Sequence, residues 1–346
     1  MVTTKTSDHI AVVIPCFKVG PSVLKVLEEI GPEVSSIFLV DDCCPFETGN
    51  IVKERSTDSR LNVIFIEENQ GVGGATMAGY MAALEAEADI IVKLDGDGQM
   101  PPEYIPVLTR DVILGEADYT KGNRFHFPND LEEMPLLRKV GNLFLSFINK
   151  IVSGYWNIMD PCNGFTAIHS SVLIMLPVKS ISKRYFFESD MLFRLGTIRA
   201  VVKDVPMPAS YEGTSPSNLN IASVCLEFPP KYIKRFFKRI AYSYFLRDFN
   251  AGSLKIVVGT SLCLFGGTFG IYHWIKNASA GIPSQTGTIF IAALSSIFGF
   301  QLLLSALLWD IYNYPKEVLQ NRLLVRKNKQ RLPFDIEKKE VKVGEK

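Results

Sequence analysis

Two aspartates one residue apart, Asp95 and Asp97, stand in Asp95-Gly96-Asp97-Gly98-Gln99, directly after the apolar run Ile90-Ile91-Val92-Lys93-Leu94. Carboxylates paired where a buried strand opens into a loop suit the binding of clustered negative charge through a divalent cation. A nucleoside diphosphate meets acidic side chains productively only with Mg2+ or Mn2+ between them. The flanking glycines let the backbone come close to such a ligand.

The elements that must position this loop are legible upstream. An apolar run over residues 11–14 ends in Pro15-Cys16-Phe17, and a helical pattern (Val23, Leu24, Val26, Leu27, Ile30) stops at Gly31-Pro32. A second run over 37–40 ends in Asp41-Asp42, a helical stretch covers about residues 48–55, and a third run over 63–66 ends in Glu67-Glu68-Asn69. A helix over about 74–85 leads into the fourth strand and the aspartate pair. Strands alternating with helices predict an α/β fold with a mostly parallel sheet, Rossmann-like and covered on both faces. Ligands of such sheets bind at the carboxyl ends of the strands, where Pro15, Asp41, Asp42, Asn69, Asp95 and Asp97 fall. A dinucleotide reading of Gly71-Val72-Gly73-Gly74 fails on position, because that fingerprint follows the first strand and these glycines follow the third.

The ordered set Val-Ile-Pro (13–15), Val-Asp-Asp (40–42), Asn-x-Gly-x-Gly-Gly-Ala (69–75), Asp-Gly-Asp-Gly-Gln (95–99) and Lys-Gly-Asn-Arg (121–124) resembles the inverting GT-A glycosyltransferases of family 2. Within them it resembles the dolichyl-phosphate mannose synthase-like and polyprenyl-phosphate glucosyltransferase branch, over about residues 10–250. The resemblance implies that Asp95, Asp97 and Gln99 bind diphosphate and Mg2+ or Mn2+, with Asp97 and Gln99 as metal ligands. It implies a nucleotide site formed by Pro15, Phe17, Asp41, Asp42, Asn69, Gly71 and Asp95. One departure is Cys43-Cys44-Pro45, where the family usually reads Gly or Asn followed by Ser.

The middle of the chain is expected to build an acceptor site. Arg124, Arg138 and Lys139, with Asn142 one turn after Arg138, supply donors matched to a phosphate monoester. In the family, matching basic positions hold a lipid phosphate, and Arg124 and Arg138 fit best. Asp160, in Met159-Asp160-Pro161-Cys162-Asn163-Gly164-Phe165, fits the family's Asp-x-x-x-Gly-Phe element and is the expected catalytic carboxylate. Glu188 and Asp190 are further candidates for a base or for orienting the sugar. A lipid phosphate, with a second pKa of about 6 by analogy with phosphoserine, is largely dianionic at neutral pH and is already a nucleophile. Positioning then matters more than proton abstraction.

The last third changes the setting. Residues 256–275 are almost uncharged and 286–309 wholly so, each long enough for a hydrocarbon core that needs about 20 apolar residues. Lys231, Lys234, Arg235, Lys238, Arg239 and Arg247 precede the first span, Arg322, Arg326, Lys327, Lys329 and Arg331 follow the second, and Lys276 lies between. The positive-inside rule then puts the catalytic domain and both termini in the cytoplasm. Basic residues alternating with Phe236, Phe237, Ile240, Tyr244, Phe245 and Leu246 read as amphipathic interfacial helices broken near Ser243. The expected organisation is a tail over 1–9, a catalytic domain over 10–227, interfacial helices over 228–250, spans over 254–275 and 286–310, and a basic tail over 311–346.

Composition agrees. The 346 residues are 47% hydrophobic with a net charge of +1, and basic residues gathered beside the spans give no reason to invoke nucleic acid. Six cysteines, at 16, 43, 44, 162, 225 and 263, lack zinc spacing and suit a reducing compartment. Residues 1–9 are polar and too short for a signal peptide. The charge-rich last residues, 336–346, are expected to be disordered.

The function expected from the resemblance is inverting transfer of one hexose from a nucleotide sugar to undecaprenyl or dolichyl phosphate at the bilayer. Glucose from a UDP-sugar is favoured and mannose from GDP-mannose is the alternative. A homo-oligomer is compatible with this layout. A processive polysaccharide synthase is disfavoured, because two spans make a poor polymer channel and no Gln-x-x-Arg-Trp motif is present.

Overall fold

The computed structural model describes residues 8–127, 136–208 and 221–323, and only the backbone of residues 137, 138, 221–225 and 323. The Cys225 side chain, the basic residues from Arg326 onward and most of the expected N-terminal tail therefore lie outside the description. The chain divides into two units, residues 1–233 with 315–346, and residues 234–314.

The first unit is built on seven strands: β1 Ile10–Cys16, β2 Val34–Asp41, β3 Leu61–Phe65, β4 Ile90–Lys93, β5 Tyr119–Asn123, β6 Thr166–His169 and β7 Val202–Pro206. Their order is β3-β2-β1-β4-β6-β5-β7. All neighbours are parallel except β6, which runs antiparallel to both β4 and β5. The helices are α1 Ser22–Glu28, α2 Thr48–Arg55, α3 Val72–Glu85, α4 Ile105–Ile113, α5 Leu136–Ser153, α6 Ser170–Leu173, α7 Phe187–Ile198 and α8 Ile221–Ala241, and α11 Gln320–Leu323 closes the unit. Two apolar clusters, one on each face of the sheet, explain why β1 and β4 are buried along their whole length and read as apolar runs, Lys93 excepted. On one face α3 packs closely: a Cβ on its Gly79 would lie 2.3 Å from Val13 Cγ1.

β6 decides what meets at the carboxyl edge. Being reversed, it presents its amino end, the Asn163-Gly164-Phe165 approach, where β4 and β5 present their carboxyl ends. Lys93 of β4 and Lys121 of β5 both pair with Thr166. The Asp95 loop, the Arg124 loop and the Asp160 loop are thereby gathered at one edge.

The domain limits differ from expectation at both ends. Phe228 and Tyr232, assigned above to interfacial helices, are buried in the first unit. Their rings stand edge-on to Phe186 at 5.2 and 4.9 Å, and Asn149 Nδ2 donates to the Tyr232 hydroxyl at 2.9 Å. The tail expected from residue 311 returns at Leu319 and Gln320, whose amides donate to the buried Asp118 carboxylate at 2.8–3.0 Å.

The second unit holds the end of α8, a π-helical turn Tyr242–Leu246 at the expected break, α9 Ala251–Ser279 and α10 Thr286–Tyr312. The lengths of α9 and α10, 29 and 27 residues, and their long apolar stretches suit bilayer spans. Leu264, Trp274, Phe290 and Phe300 are exposed along them, unlike the buried faces of a soluble core helix. The two helices touch through small residues, as lipid-embedded helices do. A Cβ on Gly299 would lie 2.6 Å from Cys263 N and 2.8 Å from Gly259 O. Arg239 grips Asp310 through Nη1 and Nη2 at 2.7 and 3.0 Å, and Tyr244 donates to the same carboxylate at 2.6 Å.

The Gly299 contact yields a test. Gly299→Ala should destabilise the detergent-solubilised chain by about 1–3 kcal/mol through overpacking against backbone, read as a lower midpoint in thermal unfolding. Gly267→Ala, which meets no atom within 4 Å, should leave the midpoint within error; equal effects would refute the close packing.

Candidate active site

β1 and β2 end side by side, Cys16 opposite Asp41. Pro15 is buried within β1, and Phe17 just beyond it is exposed. The two aspartates that follow β2 turn their carboxylates to backbone amides. Asp41 accepts from Cys44 N and Gly49 N, both at 2.7 Å, and so shapes the Cys43-Cys44 loop into α2. Asp42 accepts from Gln70 N and Gly71 N at 2.7 Å and from Asn69 Nδ2 at 3.0 Å. Burial pushes the Asp42 carboxyl above the usual range, against the lowering effect of those amides. Gly71, at φ +82° and with Lys183 O 2.8 Å from where a Cβ would stand, permits the tight entry into α3. These residues shape the loops at the carboxyl ends of β1, β2 and β3, with Phe17 an exposed ring beside them.

Asp97 is solvent-accessible yet crowded. Partial desolvation and, after it, the neighbouring Asp95 charge raise its carboxyl above the usual range, while the Gln99 amide donates to it at 3.1 Å. Lys93 Nζ donates to Asp95 Oδ1 at 2.7 Å. No group of three or more His, Cys, Asp or Glu gathers here or elsewhere among the described residues. Two carboxylates and a glutamine, all oxygen donors, nonetheless fit Mg2+ or Mn2+, which take one or two protein carboxylates and complete their shell with water and substrate phosphate. The Asp95 charge, which adds to desolvation in raising the Asp97 carboxyl, is one that such a cation would neutralise.

Across β6, Arg124 closes a fork on Asp160, with Nε to Oδ2 at 2.8 Å and Nη2 to Oδ1 at 3.1 Å. Asp160, expected as a catalytic carboxylate, is 2% exposed and has both oxygens in this fork. That geometry orients a guanidinium and does not suit proton abstraction. Asp204 supports the same loop by accepting from Met159 N at 2.8 Å and Asn123 Nδ2 at 3.0 Å. Asn142 is half-buried on α5; the Arg138 side chain lies outside the described residues.

Glu188 and Asp190, offered together from the sequence, separate. Glu188 Oε1 lies 3.4 Å from Lys93 Nζ and belongs to the site. Asp190 is fully buried, accepts from Ser182 N at 2.9 Å and pairs with Arg194 Nε at 3.1 Å. It holds the loop before α7 in place and is corrected from sugar contact or base to a structural carboxylate. Sequence reasoning passed over Lys93 and Lys121, both fully buried under the site; Lys121 Nζ donates to Asn163 O. Burial lowers the Lys121 ammonium, and the Asp160 and Glu188 charges oppose that shift. The signal was in view: each is a lysine in a strand buried on both faces.

A family model described as glycosyl transferase family 2 matches residues 11–175. The UDP-N-acetylglucosamine--dolichyl-phosphate N-acetylglucosaminyltransferase of Methanococcus voltae is 33% identical over 216 residues, covering 58% of this chain and 86% of that protein. The chain belongs to glycosyl transferase family 2. Another relative in this family, the undecaprenyl-phosphate mannosyltransferase of Micrococcus luteus, is 30% identical over 194 residues, covering 54% of this chain and 76% of that one. Among solved structures, glucosyl-3-phosphoglycerate synthase from Mycobacterium tuberculosis, in complex with uridine diphosphate, superposes with a TM-score of 0.52 at 17% identity, covering 66% of this chain and 80% of that one. This likeness establishes the shared GT-A fold. The chain is therefore a glycosyltransferase, with two candidate spans after its catalytic unit.

Asp204 makes the site's support pH-sensitive. Burial raises its carboxyl from the ordinary 3.8 to about 6. Its folded pKa lies above its unfolded one, so its stabilising contribution is complete below about pH 4 and is lost as pH rises through 6. Asp204→Asn should therefore raise the unfolding midpoint at pH 7.5 more than at pH 5 and flatten the curve between them. Parallel midpoint–pH curves for the two proteins would refute the assignment.

Proposed function

We propose that this glycosyltransferase moves one sugar from a UDP-hexose to polyprenyl phosphate at the cytoplasmic face of a membrane, with inversion at the anomeric carbon. The observation that carries this reading is the meeting, at one sheet edge, of an acidic pair suited to a metal–diphosphate and a guanidinium held out by Asp160. Those are the two charge patterns that a nucleotide-sugar donor and a phosphate acceptor require. Relatives named for dolichyl and undecaprenyl phosphate support the acceptor class, and the Methanococcus voltae relative, named for UDP-N-acetylglucosamine, supports a UDP-sugar. Glucose or its N-acetylamino derivative is the favoured sugar.

In this reading Asp97 and Gln99 hold Mg2+ or Mn2+, which supplies neutralising charge to the departing diphosphate. Asp95 faces the diphosphate across that cation, and Phe17 with the Asp41- and Asp42-shaped loops receives the nucleoside. Arg124, with Arg138 and Asn142 of α5, seats the acceptor phosphate. A phosphate oxygen, already anionic, attacks the anomeric carbon as the bond to the diphosphate oxygen breaks, so no side chain has to take a proton. Leu136, Val140, Leu143, Phe144 and Phe147 form an exposed apolar stripe on α5 beside these phosphate-binding positions, where an isoprenoid chain would leave the site.

Purified protein given a short polyprenyl phosphate, Mg2+ or Mn2+ and a panel of labelled UDP- and GDP-sugars should place label in the lipid extract, most from a UDP-sugar. Asp97→Asn should lower transfer about 100-fold or more while the chain stays folded. Arg138→Ala should raise the acceptor KM about 10- to 100-fold and leave UDP affinity by calorimetry unchanged. A collapse of UDP affinity at a fixed acceptor KM would move Arg138 to the donor side.

The cytoplasmic placement follows from Lys234, Arg235, Lys238 and Arg247 ahead of α9 and Arg322 after α10, against Lys276 alone near the connection. Cys43 is exposed on the catalytic unit, whereas burial pushes the Cys162 thiol up to about 12 and leaves it a poor nucleophile. In intact cells a membrane-impermeant maleimide should leave Cys43 untouched until permeabilisation, yet reach a cysteine placed at Ser284. Labelling of Cys43 in intact cells would reverse the topology.

A further inference from the structure

β4 is apolar except for Lys93, whose side chain is only 1% exposed. Its ammonium donates to Asp95 Oδ1 at 2.7 Å, stands 3.4 Å from Glu188 Oε1 and reaches the Gly164 carbonyl at 3.4 Å. Three segments distant in sequence, the end of β4, the approach to β6 and the first turn of α7, thus meet on one nitrogen. Gly164 leaves room for the arrangement: a Cβ there would lie 2.4 Å from Lys93 Nζ and 2.6 Å from Asp95 Oδ2. Burying an ammonium is costly, and an apolar residue would fill a buried strand position at no such cost. A lysine retained there calls for a role beyond packing.

We propose that Lys93 is a positioning residue of the donor site: by holding one Asp95 oxygen and tying it to Glu188, it presents the first aspartate to the cation and diphosphate in a single fixed orientation. The inference rests on the donor-site reading proposed above. Groups that orient a metal site from behind its ligands typically change metal affinity 10- to 100-fold when removed.

The sign of the effect separates positioning from mere charge balance. A cation behind the site repels a bound cation, so by charge alone removing Lys93 would tighten metal binding. Loss of orientation weakens it. The test is Mn2+ affinity of the full-length, detergent-solubilised protein in the presence of saturating UDP, followed by the electron paramagnetic resonance of free Mn2+. Lys93→Met should raise the Mn2+ Kd about 10- to 100-fold. Lys93→Gln, an amide donor without the charge, should recover part of that loss. Unchanged or tighter Mn2+ binding in folded Lys93→Met would overturn the proposal. Should thermal unfolding show that Lys93→Met does not fold, Lys93→Gln decides alone: a Kd several-fold above wild type supports positioning, and a Kd at or below wild type overturns it. A wild type that binds no Mn2+ with UDP would instead defeat the donor-site reading, and the role of Lys93 with it.

Discussion

One reversed strand governs the site. In a wholly parallel sheet, the loop that carries Asp160 and Gly164 would sit at the amino edge, far from the Asp95 loop. Because β6 is antiparallel between β4 and β5, its entry and their exits share an edge. Acidic and basic loops from distant parts of the chain are thereby held a strand's width apart, about 4.8 Å per step across the sheet. Rigid strands flanked by two apolar clusters supply that precision, and the loops only carry the side chains.

Charge then sorts the carboxylates. Asp41 and Asp42 spend their oxygens on backbone amides, Asp190 on Arg194 and Ser182 N, and Asp160 on Arg124. These groups satisfy donors that would otherwise be buried without partners, which is costly in a low dielectric. Asp97 also accepts from a backbone amide, that of Gln99, but is exposed where the others are buried. The acidic groups at this edge thus differ in burial and partners, not in residue type.

The second unit solves a separate problem. Helices in lipid would lack the hydrophobic drive that assembles the sheet, and the candidate spans α9 and α10 approach through Gly259, Cys263, Gly266, Ser296 and Gly299, where backbones can nearly touch. The Arg239–Asp310 fork with the Tyr244 hydroxyl lies at the end of α10 and joins the last turn of α8 to it. The Asn250 capping box starts α9 directly after the π-helical turn, satisfying amides that a helix start leaves open.

Much of this could be read in the sequence alone. Apolar runs of strand length alternating with helical periodicity specify a parallel sheet, because only strands buried on both faces can be uniformly apolar, and the first four strands appear close to where they were expected. The uncharged stretches in the last third mark α9 and α10, since a hydrocarbon core tolerates little else. The order of short motifs along the chain pointed to the family, to which the chain belongs. Tertiary structure alone decided which polar residues are buried with partners and which stay exposed. Glu188 and Asp190 are two residues apart on one helix, and Asp160 and Asp97 are both loop aspartates, yet their fates differ. Lys93 looked like an anomaly in an apolar run until Asp95, Gly164 and Glu188 were seen to converge on it. Pattern records only whether a position is buried; a buried charge takes its meaning from the partner that folding brings within about 3 Å, and strand order sets that partner.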